Sequence, residues 1–202
     1  MLSLYDYQLA MLNPMCDSAP VQAAELLRTL GVTRAETADA AQRYRSAPRR
    51  AFDDYLAAWG APESLTVAAF NRNMDMRTAR WNLSFWPDLH IELSSPHERS
   101  VFRHFVRRPH LPPMVPRSLD DLTPWSCTAA EFSAGGLGPI DHVDGFGGIG
   151  DVSAFAVSDP HSHEIRTYWA YFDWSLLQGV EPAPDTYVWD PCCDGSTGQP
   201  RT

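Results

Sequence analysis

A chain of 202 residues, 44% hydrophobic and 20% charged, is long enough to bury a hydrophobic core and excludes extensive disorder. Its formal net charge of −9 argues against generic binding to nucleic acid or to an anionic membrane, both of which need surplus positive charge to release counterions. No apolar run approaches the length of a membrane span, and the first residues lack the basic and apolar regions of a secretory signal, so a cytoplasmic protein is expected.

The first sixty residues read as helices. Residues 3 to 12 suggest one. Asp17, Ser18 and Pro20 then form a start signal, Ala23, Leu26, Leu27 and Leu30 recur at helical spacing, and Gly31 closes the pattern. Thr33 and Glu36 make a capping box that opens the next helix, through about Tyr44. Phe52, Tyr55, Leu56 and Trp59 repeat the helical spacing once more, and Gly60 ends it.

Beyond Gly60 the period changes to two. Leu65 to Asn71 fits a third strand or a fourth helix, with strand favoured; Trp81, Leu83 and Phe85, then Leu89, Ile91 and Leu93, alternate with polar residues as in a hairpin with one wet face. Ser95, Pro96 and Glu98 resemble a capped start, which predicts a helix over 96–108; residues 109 to 125, rich in proline, form an extended connector. The last third is glycine-rich and β, with a second hairpin from residues 151–157 and 165–174, and Tyr187 to Trp189 as a short edge strand. The expected class is α+β in a single domain, 1–202. Its helical part, 1–60, packs on a mostly antiparallel sheet over 61–194 with one core, and 195–202 form a flexible tail.

Candidate chemistry is sparse. Cys16, Cys127, Cys192 and Cys193 have no metal or disulfide spacing and are expected as reduced thiols. His142 and Asp144 have the H-x-D spacing that sets an imidazole and a carboxylate on one side of a strand; with His161 or His163 they would complete a site for one transition-metal ion, against the plainer reading of polar loop residues. Arg99, Arg103 and Arg107 recur every four residues and would form an anion-binding stripe on the helix over 96–108, against the plainer reading of a solvated face. No phosphate-binding glycine loop or hydrolase motif is present.

Two functions follow. The first is a small acidic binding protein with no cofactor, an inhibitor or immunity-type molecule that masks a basic protein partner, with Trp81, Trp86, Trp169 and Trp174 as anchors. The alternative is a metal-dependent enzyme, using iron, zinc or copper at His142, Asp144 and His161 or His163, acting on a small metabolite or peptide.

Overall fold

A computed structural model describes residues 2–48, 50–71, 74–97, 100–145, 149–158 and 164–188. Four helices come first: α1 (Leu4–Ser18), α2 (Pro20–Leu30), α3 (Arg34–Ser46) and α4 (Phe52–Trp59). The capping box of α3 forms as the sequence implies, with the Thr33 amide donating to Glu36 Oε2 at 2.7 Å and the Glu36 amide to Thr33 Oγ1 at 3.3 Å. Gly31 closes α2 at φ +67°, a left-handed conformation in which a side chain would be strained. α1 is longer than expected because it runs through Pro14. Ser18 therefore ends α1 rather than capping α2, and its hydroxyl lies within hydrogen-bond distance of Asp173 Oδ2 and Gln178 Oε1.

The strands form two antiparallel four-stranded sheets, each a meander in chain order. The first contains β1 (Ser64–Asn71), β2 (Met74–Asn82), β3 (Leu89–His97) and β4 (Ser100–Arg107). The second, reached through a short 3₁₀ turn (Leu119–Asp121) and helix α5 (Ala129–Ser133), contains β5 (Ile140–Asp144), β6 (Ile149–Ser158), β7 (Ile165–Asp173) and β8 (Leu176–Pro182). The α+β class and the antiparallel pairing hold, with two sheets where one was expected.

The helix predicted over 96–108 is instead the end of β3 and all of β4. A spacing of four is close to one turn of helix and is also two full periods of a strand, so the arginine pattern fits either element. Pairing decides it: Leu93 lies opposite Arg103, and Ile91 opposite Phe105. The edge strand predicted at Tyr187 is also displaced, because β8 occupies that edge while Tyr187 and Val188 lie outside any strand and Trp189 lies outside the described residues.

The apolar interior falls into two clusters rather than one. In the larger, Tyr7, Met11, Leu12 and Met15 of α1 pack against Ala40 and Ala41 of α3 and against Ala79, Trp81, Ile91, Leu93 and Phe105 of the first sheet. Each large apolar side chain so buried contributes about 1.5–3 kcal/mol. In the smaller, Phe132 of α5 packs on Phe155, Ala170, Phe172 and Leu177 of the second sheet. The two halves join where Trp174 and Leu176, beside the turn between β7 and β8, enter the larger cluster. Among the described residues no helix is long and apolar enough to cross a membrane.

Candidate functional site

The four tryptophans expected as anchors separate sharply. Trp81, Trp86 and Trp174 are core residues, 3%, 6% and 3% exposed, so none of them presents a ring to a partner in this fold. Trp81 donates its indole N–H to Gly60 O at 3.0 Å, Trp86 packs 4.9 Å from the Phe105 ring, and Trp174 packs 5.7 Å from Tyr7. Trp169 alone is half-buried on a sheet face outside both clusters.

That face is built by alternation. Tyr168, Ala170 and Phe172 of β7 point into the smaller cluster, so Trp169 and Tyr171 point the other way. Register then sets four residues in one row across the sheet: Asp141 on β5 opposite Ala154 on β6, Ala154 opposite Trp169 on β7, and Trp169 opposite Glu181 on β8. A large ring thus sits in a row bounded by a carboxylate at each edge of the sheet. The small side chain of Ala154 beside it leaves the indole room.

Two tyrosines complete the patch. Tyr187 donates to Asp141 Oδ2 at 2.8 Å and its ring lies 5.9 Å from Trp169; Tyr171 donates to Glu181 and its ring lies 6.4 Å from Trp169. Burial, together with the hydrogen bond and charge of Glu181, pushes the Tyr171 phenol up to about 12, so it remains a donor. Toward the end of β7, Asp151 and Asp173 line a cleft of about 350 Å³ with Tyr171 and Glu181. Burial raises the Asp173 carboxyl above its ordinary range, with Asp151 adding in the same direction; the Ser18 hydroxyl and Gly150 amide oppose both.

Charge is distributed unevenly between the halves. Residues 1–117 carry twelve carboxylates and fourteen arginines, whereas residues 118–188 carry eleven carboxylates and one arginine, Arg166. In the first half guanidinium groups pair with Asp6, Asp17, Asp53 and Glu92. Arg166 pairs with Glu164, and among the described residues no arginine pairs with Asp141, Asp151, Asp173 or Glu181. The surplus negative charge is therefore a property of the second half.

Among the described residues the remaining sequence candidates do not assemble into a metal site. His142 and Asp144 lie on β5, but a bulge follows His142, and both groups engage the turn after the strand: His142 Nε2 lies 2.6 Å from Gly145 O, and Asp144 Oδ1 accepts from the Gly145 amide at 2.7 Å. Gly145 has φ +92°, and a Cβ there would meet Asp151 Oδ1 at 2.6 Å. His161 and His163 lie outside the described residues, and among those described no group of three or more His, Cys, Asp or Glu side chains is arranged to hold a metal ion. Cys16 and Cys127 are buried thiols, and burial pushes Cys127 up to about 11; Cys192 and Cys193 also lie outside the described residues.

The anion stripe fails with its helix. Arg99 lies outside the described residues. Arg107 is already occupied: its Nε donates to Glu131 Oε1 at 2.7 Å and its Nη2 to Glu131 Oε2 at 3.1 Å. Glu131 is 7% exposed and forms a capping box with Thr128, a Thr-x-x-Glu pattern visible in the sequence. Of the two described arginines of the stripe, Arg103 faces a cavity. No family model matches the chain, and no curated protein and no solved structure matches it.

Proposed function

We propose that the protein is a binding protein that docks a basic segment of a protein partner on the exposed face of its second sheet. The observation that carries this reading is the row Asp141, Ala154, Trp169 and Glu181, set in a stretch of chain with eleven carboxylates and one arginine. A guanidinium group from a partner can stack on an indole or phenol ring while pairing with a carboxylate beside it, so aromatic rings flanked by acids suit arginine-bearing segments. The phenols of Tyr171 and Tyr187 orient Glu181 and Asp141 without neutralising them. A half-buried tryptophan supplies contact area at low entropic cost, as binding anchors do. An inhibitor or immunity-type role, masking a basic protein, is the finer form of the same reading.

The test uses a fluorescent peptide of five Gly-Arg repeats, followed by anisotropy as salt is raised. Asp141→Asn with Glu181→Gln is expected to weaken binding about tenfold, while Glu25→Gln with Asp39→Asn, the same charge change on exposed helix positions, weakens it less than about twofold. Equal losses in the two pairs, or no binding by the wild type, would overturn the proposal.

A further inference from the structure

The other half of the molecule holds a cavity of opposite character. It has a volume of about 480 Å³, lies between α1, α3, α4 and β4, and is walled by the rings of Tyr7, Tyr44, Tyr55 and Trp59. That size is typical of small-molecule sites. Three arginines, Arg45, Arg50 and Arg103, face it, and among the described residues none of them is paired with a carboxylate. In a chain with net charge −9, three guanidinium groups around one cavity without an acid are a marked local excess.

Polar groups around the cavity have hydrogen-bonding capacity to spare. Among the described residues Arg103 donates one hydrogen bond, from Nη1 to the Tyr55 hydroxyl at 2.7 Å, and lies 5.8 Å from the Tyr44 and Tyr55 ring centroids. A guanidinium has five N–H donors, so most of its capacity is unspent. The Tyr7 side chain is 2% exposed, and its hydroxyl makes no well-formed hydrogen bond, the Tyr44 phenol lying beside it. The Nε of Arg50 is likewise buried without a partner. An acceptor placed in the cavity would engage the unspent N–H groups of Arg103.

We infer that this cavity binds an aromatic carboxylate. The planar fork of Arg103 matches a carboxylate in bidentate geometry, and the aromatic walls accept a flat ring by stacking or edge contacts. Phosphate shares the charge but offers nothing to the rings.

The probe is 2-naphthoate, titrated calorimetrically into the full chain, with 2-naphthamide and inorganic phosphate as comparisons. Naphthoate is expected to bind with a Kd below about 1 mM, and the uncharged amide at least about tenfold more weakly. Arg103→Gln is expected to reduce naphthoate affinity at least about tenfold. The amide comparison needs no variant and so does not depend on how Arg103→Gln folds. Absence of naphthoate binding, equal affinity for the amide, or phosphate binding as tightly as naphthoate would each overturn the inference.

Discussion

The main-chain carbonyl of Trp174 accepts a hydrogen bond from the Phe105 amide at 2.9 Å, tying the hairpin tip of the second sheet to the edge strand of the first. The indole beyond that carbonyl is 3% exposed and packs against Tyr7 and Tyr44 at 5.7 and 6.1 Å. Truncating it opens a cavity at the junction of the two halves. Trp174→Ala is expected to lower stability by about 3–5 kcal/mol in urea unfolding, whereas a change under about 1 kcal/mol would mean the halves are held together elsewhere.

Acid sensitivity should trace in part to Glu92. Burial pushes this carboxyl up, but hydrogen bonds from His104 Nε2 at 3.2 Å and Arg80 Nε at 2.6 Å, with their charges, outweigh burial and hold it at about 2. A carboxyl that titrates lower in the folded state than in the unfolded chain stabilises the fold above about pH 5 and loses that contribution as pH falls toward 2. Glu92→Gln is therefore expected to cost up to about 3 kcal/mol at pH 7 and to flatten the loss of stability between pH 5 and pH 2, read from urea midpoints across that range.

Arg107 and Glu131 form a mostly buried, bidentate pair, 15% and 7% exposed at the side chain. Glu131 also accepts from the Met114 amide at 2.8 Å, so it pins the proline-rich connector to α5 and β4. Removing one partner leaves the other charge uncompensated. Arg107→Ala is expected to cost about 3–5 kcal/mol, and the double replacement Arg107→Met with Glu131→Gln less than that single change, since no bare charge remains.

The sequence was most readable where the determinants are local. Leu26, Leu27 and Leu30 carry their period with them, and Thr33 finds Glu36 three residues away, so α2, α3 and α4 were legible; so were β3 and the hairpin around Phe172, whereas Leu83 and Phe85, expected in a strand with Trp81, lie beyond the end of β2. The failures share a cause. Arg103 and Arg107 recur at a spacing that fits helix and strand alike, and only Leu93, ten residues earlier and across the ladder, identifies the strand. Pro14 lacks an amide hydrogen, yet the packing of Met11 and Met15 carries α1 past it. Which tryptophan is a core residue depends on what covers its face, and for Trp174 the cover is Tyr7 and Tyr44, more than 120 residues away in the chain. The row through Trp169 needs the register of four strands, which no local pattern encodes.

The docking face can be read residue by residue from the indole N–H resonances of uniformly labelled protein titrated with the Gly-Arg repeat peptide. The Trp169 resonance is expected to shift progressively while those of Trp81, Trp86 and Trp174, enclosed in the core, stay in place. An unmoved Trp169 resonance at saturating peptide would contradict a partner seated on the second sheet.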